Sequence, residues 1–139
     1  MSKERTLTIV KPDGVAANLT GAVLAHLEKA GFKIVALRRL HLSRAQAEGF
    51  YAVHRERGFY QDLVRFMTEG PVVVAALERD NAVAELRRVM GATDPAKADA
   101  GTLRKLYATS IERNVIHGSD AVETARQEIA YFFPQSDLL

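Results

Sequence analysis

Six consecutive residues, Val72-Val73-Val74-Ala75-Ala76-Leu77, carry no polar side chain, and the breakers Gly70-Pro71 stand directly before them. A short apolar run bounded in this way suits a central strand covered on both faces. The rest of the chain must supply the cover. With 139 residues, 47% of them hydrophobic, it can do so unaided, since a domain of this length buries about 68% of the surface its unfolded chain exposes. The length fits one domain over residues 1–139.

The elements around that strand are readable from period and punctuation. Residues 6–10 read as a strand, with Leu7 and Ile9 on one face and Thr6, Thr8 and Val10 on the other. Lys11-Pro12-Asp13-Gly14 ends it. A helix is predicted over about residues 20–30, with Val23, Leu24 and Leu27 as its apolar stripe and Gly31 as its stop. Residues 32–42 are β-rich, with Phe32, Ile34 and Ala36 in phase. Ser43-Arg44-Ala45-Gln46 is a capping box for a helix carrying Ala47, Phe50 and Tyr51, and a second helix is predicted over residues 60–69. Asp80 reads as the N-cap of a helix through Met90. Residues 91–107 read as a long loop, 114–117 as a short strand, and Asp120-Ala121-Val122-Glu123 as a capping box opening a helix to about Phe133. Setting aside the inserted helix pair leaves β-α-β-β-α-β. That is the order of an α+β ferredoxin-like sandwich, here with a long loop near residues 91–113.

Composition removes several chemistries. No cysteine is present, which excludes disulfides, a thiol nucleophile and thiolate metal sites. The formal net charge is only +2, too small to mark a nucleic-acid binder. No apolar run approaches the ~20 residues that span a membrane. The opening Met1-Ser2-Lys3-Glu4-Arg5-Thr6 has no apolar leader, so a cytoplasmic chain is expected.

The four histidines, His26, His41, His54 and His117, show neither helical metal-site spacing nor an HExxH pattern. His26, His41 and His54 read as structural or surface residues. His117 differs, because Gly118-Ser119-Asp120 follows it just before a helix. Free N–H groups at a helix start attract anions, glycine permits close approach, and neutral imidazole can accept a phosphoryl group. The same residues also read as a turn feeding a helix cap. Lys11 continues the Leu7 and Ile9 face at the strand end, so it points inward toward an anionic partner or snorkels to solvent. Arg87, Arg104 and Thr93 flank or lie within the long loop. Each alone reads as surface or capping, whereas with Lys11 they could neutralise a polyphosphate. Neither GxxxxGK[ST] nor GxGxxG occurs, so any phosphate site here is of another kind. An RNA-binding module is the rival of the same element order. Arg57-Gly58-Phe59-Tyr60 begins like an RNP1 segment, but Gln61 departs from it and the segment lies between helices rather than in a strand.

Asn114-Val115-Ile116-His117-Gly118-Ser119-Asp120 resembles the active-site signature of nucleoside diphosphate kinases. The likeness extends over Val10-Lys11-Pro12-Asp13-Gly14, Phe66-Met67-Thr68, Gly70-Pro71-Val72-Val73, Met90-Gly91-Ala92-Thr93-Asp94-Pro95 and Glu128-Ile129-Ala130-Tyr131-Phe132-Phe133. It covers nearly the whole chain. The resemblance implies transfer of a terminal phosphoryl group between nucleotides through phospho-His117. It implies that Lys11, Arg87, Thr93 and Arg104 hold phosphates, that Phe59 stacks on the base, and that Asn114 contacts the ribose together with Lys11. Tyr51 and Glu128 would lie beside His117, with Ser119 positioning Glu128. Mg²⁺ would arrive on the nucleotide's phosphates, with Asp120 as a contact through water. A homo-oligomer, tetramer or hexamer, is implied as well. Four positions depart from the usual pattern: Gly58 for Pro, Tyr60 for Phe, Arg79 for Gly and Leu106 for Asp. None removes a residue implied in the transfer. A nucleotide-binding protein without turnover is the remaining alternative, and the intact set argues against it.

Overall fold

The computed structural model describes residues 3–139; Met1 and Ser2, where the reading of the N-terminus begins, lie outside the described residues. Strands β1 (Lys3–Val10), β2 (Lys33–Leu40), β3 (Val72–Asp80) and β4 (Ile116–Gly118) form one antiparallel sheet in the order β2-β3-β1-β4. That order, with its helical connections, is the predicted ferredoxin-like architecture. The helices are α1 (Pro12–Ala16), α2 (Thr20–Lys29), α3 (Arg44–Phe50), α4 (Tyr60–Met67), α5 (Ala82–Met90), α6 (Leu103–Tyr107) and α7 (Val122–Phe132). None of them is long and apolar enough to cross a membrane.

Both faces of β3 are covered, as its sequence requires. Val72, Val74 and Ala76 pack with Leu7, Ile9, Phe50, Val64, Met67, Ile129 and Phe132, a layer built on α3, α4 and α7. Val73, Ala75 and Leu77 pack with Val10, Val23, Leu27, Leu86 and Met90, a layer built on α2 and α5. The period of two along β1 and β3 therefore sorts side chains between two cores. The inserted pair α3 and α4 supplies cover for the sheet face that α2 and α5 leave open.

Five readings are corrected. Phe32 and Ile34 share one core, but Ala36 packs with the other, because a bulge between Ile34 and Ala36 switches the face. Asp80 ends β3; Asn81, at φ 56°, is the N-cap of α5, and Glu4 on β1 accepts the Val83 N–H at 2.8 Å. The cap is thus supplied from another strand, which local sequence cannot reveal. The loop over residues 91–107 contains a 3₁₀ turn at Pro95–Lys97 and the helix α6. The last strand begins at Ile116, since Val115 has a left-handed backbone at φ 74°. Asp120 is not the N-cap of α7: Ala121 is, its N–H held at 3.0 Å by the Thr124 hydroxyl, while Asp120 pairs with Arg87.

The departures have local accounts. Tyr60 is buried and its hydroxyl donates to the Glu48 carbonyl at 3.1 Å. Arg79 donates to the Ala30 carbonyl at the end of α2 and lies 5.3 Å over the Phe32 ring, closing off the helix C-terminus. Leu106 sits exposed on α6 without disturbing Arg104. Gly58 is exposed, with nothing within 4 Å of the space a side chain would take.

Candidate active site

Inner strand β1 and its short neighbour β4 pair with Ile9 opposite His117. On β4, His117 is part-buried, and its Nε2 lies 2.8 Å from Glu128 Oε1 on α7. The Ser119 hydroxyl donates to the same carboxylate oxygen at 2.8 Å and accepts the Leu7 N–H at 3.3 Å. Glu128 Oε1 accepts the Ser119 O–H, and the imidazole tautomer with its proton on Nε2 donates to the same oxygen. The Nδ1 lone pair is then free. Edge contacts fix the ring: the Phe50 centroid is 5.4 Å away and the Tyr51 centroid 6.4 Å.

Tyr51 is buried, and among the described residues its hydroxyl has no hydrogen-bond partner. Burial, and then the Glu128 carboxylate, push the phenol pKa well up, so it remains a neutral donor. Phe59 is 49% exposed and lies 5.6 Å from the His54 ring, at the start of α4.

The cations form the second part. Lys11, only 9% exposed, points inward and donates from Nζ to Asn114 Oδ1 at 2.8 Å. Burial, reinforced by Arg104 and opposed by Asp13, lowers its pKa to about 8. Arg104 is also buried and donates to the carbonyls of Ile116 at 2.7 Å, Gly91 at 3.2 Å and Asn114 at 3.4 Å. Its pKa is lowered to about 10, chiefly by burial and then by Arg87. Arg87 reaches the Gly118 carbonyl at 3.4 Å and Asp120 at 3.0 Å. Arg87, Thr93 and Arg104 line one cavity of about 360 Å³. A larger groove of about 740 Å³ lies between the start of β1, α7 and the C-terminal turn, and no candidate residue lines it.

Two residues behave differently from expectation. Gly118 serves packing rather than ligand access: a Cβ there would stand 2.5 Å from Met90 Sδ and 2.9 Å from Leu86 Cδ2 on α5. Val115 escaped sequence reading altogether, since nothing in a valine announces positive φ. Glu128 and Tyr51 were reachable only by resemblance. Among the described residues no group of three or more His, Asp or Glu side chains could hold a metal ion. Exposed Asp120, paired with Arg87, is the carboxylate that stands beside these cations.

Comparison with known proteins identifies the family. The sequence model of the nucleoside diphosphate kinase family matches residues 4–138. A protein named nucleoside diphosphate kinase from Anaeromyxobacter sp. (strain Fw109-5) is 58% identical over 136 residues, covering 98% of this chain and 93% of that one. One of the same name from Rhizorhabdus wittichii is 57% identical over 139 residues, covering 100% and 99%. The crystal structure of the Aquifex aeolicus nucleoside diphosphate kinase superposes with a TM-score of 0.96 at 39% identity, covering 99% of this chain and 100% of that one.

Proposed function

Because the chain belongs to the nucleoside diphosphate kinase family, we propose that it transfers the terminal phosphoryl group by a ping-pong route through phospho-His117. Membership makes it an enzyme, a kinase that binds nucleotides. In the first half-reaction a bond forms between His117 Nδ1 and the terminal phosphorus. The bond from that phosphorus to the bridging oxygen breaks, and a nucleoside diphosphate leaves. The second half-reaction is the reverse, on a different diphosphate. The observation that carries this reading is the His117 Nε2 bond to Glu128 at 2.8 Å, which leaves Nδ1 as the nucleophile.

Lys11, Arg87, Arg104 and Thr93 would hold the phosphates, because phosphoryl transfer depends on positioning and charge neutralisation. Asp120 would stand beside a nucleotide-bound Mg²⁺, which would neutralise charge on the phosphate oxygens. Tyr51 would donate its unpaired O–H to a phosphoryl oxygen. Asn114, with Lys11, would meet the ribose. Phe59 would stack on the base, and stacking accepts any base because every base has a π-face. We assign the chain to the cytoplasm and to a homo-oligomer, tetramer or hexamer; the exposed Leu37 on edge strand β2 supports contact between copies.

The test is a chase. Enzyme treated with ATP and freed of nucleotide is expected to convert added GDP or CDP to the triphosphate, one per labelled site. Failure of the nucleotide-free enzyme to pass on any phosphoryl group would remove this reading.

Two further results are expected. The kcat/KM profile falls above about pH 8, as Lys11 loses its proton in the free enzyme. Bound phosphate favours the ammonium, so the corresponding limb of kcat lies at higher pH. A pH–rate study checks both, and Lys11→Arg is expected to remove the limb. Replacing Glu128 by alanine unfixes the imidazole and is expected to slow enzyme phosphorylation by roughly 10- to 100-fold, measured by rapid quench.

A further inference from the structure

Residues 11–14 do more than end a strand. The Lys11 N–H donates to the Val115 carbonyl at 2.7 Å, and Lys11 Nζ bonds Asn114. The Val115 N–H donates to Asp13 Oδ2 at 3.1 Å, across 102 residues of sequence. Gly14 completes the grip: a Cβ there would stand 3.1 Å from Val115 Cγ1 and 3.4 Å from the Val115 carbonyl. The segment they hold is strained. Val115 is buried with φ 74°, a region that costs about 1–2 kcal/mol for an ordinary residue and suits a β-branched one least. Such a backbone persists only where its surroundings over-determine it. Here both polar backbone groups of Val115 are committed to residues 11–13, two positions before His117 and one after Asn114. Among the described residues the Asp13 carboxylate makes no other hydrogen bond: its second oxygen is buried without a partner and its own short helix α1 gains no cap from it, although its charge also favours the Lys11 ammonium.

We propose that Asp13 is a positioning residue of the transfer site: its carboxylate holds Val115 left-handed and thereby sets His117 against Lys11 and Asn114. The role rests on the phospho-His117 reading above. If Val115 relaxed to an ordinary backbone, the chain direction into β4 would change and the imidazole would move relative to the cations. A displacement of about 1 Å is enough to cost 10²-fold in a transfer step.

The test is the rate of enzyme phosphorylation by ATP in wild type, Asp13→Ala, Asp13→Asn, Val115→Gly and the double variant Asp13→Ala/Val115→Gly. Glycine takes positive φ without cost, so position 115 no longer needs a restraint. Asp13→Ala is expected to be slowed about ten-fold or more, with the double variant within about three-fold of Val115→Gly. Asp13→Asn keeps an oxygen acceptor for the Val115 N–H and, assayed well below pH 8 so that Lys11 stays protonated without the Asp13 charge, is expected to stay within about three-fold of wild type. A wild-type rate for Asp13→Ala overturns the proposal. So does a double variant that remains ten-fold below Val115→Gly, and so does an equally slow Asp13→Asn. If Asp13→Ala does not fold, the two variants that carry Val115→Gly decide, together with Asp13→Asn. A wild type that takes up no phosphate fails the underlying reading instead, which keeps the two failures apart.

Discussion

Replacing His117 by alanine is expected to lower turnover by roughly four to six orders of magnitude while nucleotide affinity stays within a few-fold of wild type. The imidazole contributes little to the fold. It is part-buried at the end of the sheet, and loss of its hydrogen bond to Glu128 leaves Ser119 still paired with that carboxylate. The cations that would bind phosphate are anchored independently of it: Lys11 by Asn114, and Arg104 by three carbonyls. A covalent route therefore loses its nucleophile and keeps its binding site. Paired measurements of turnover and of nucleotide affinity check this. An alanine variant with a tenth of wild-type turnover would mean that transfer proceeds directly between bound nucleotides.

Removal of Arg104 is expected to have the second largest effect. Arg104→Met should lower kcat/KM by roughly 10²- to 10⁴-fold and the folding free energy by about 2 kcal/mol. The guanidinium is buried and joins Gly91 at the end of α5 to Asn114 and Ile116 on either side of strained Val115. Methionine fills comparable volume but leaves buried carbonyls without donors, and it removes positive charge where phosphate would lie. Lysine is not expected to restore function, because a single ammonium cannot reach three carbonyls at once. Kinetics and thermal unfolding on the same preparation separate the two losses. A variant within three-fold of wild type in kcat/KM would place the phosphates elsewhere.

The sequence made the sheet legible because β1 and β3 sort their side chains by a simple period of two. Lys11 was legible for the same reason: it extends the Leu7 and Ile9 face, and it is buried. His117 stood out through the glycine, serine and aspartate behind it, although Gly118 is there to admit Leu86 and Met90. What pattern could not give is whatever depends on docking. Glu128 faces His117 only because α7 lies across β1. Tyr51 approaches it only because α3 closes that side of the sheet. The Asp13 carboxylate and the Val115 N–H are 102 residues apart and meet through sheet topology alone. The caps of α5 and α7 were misread for a related reason, since Glu4 and Thr124 took the places that Asp80 and Asp120 suggest locally.

The most direct test of the central claim is to treat the protein with γ-labelled ATP and determine where the phosphate is bound and how it hydrolyses. One phosphate per chain on His117, labile to acid and stable to base, is the expected result. Label that survives acid, or that sits on a serine or threonine, or no label at all in an enzyme that turns over, would contradict the phosphohistidine route.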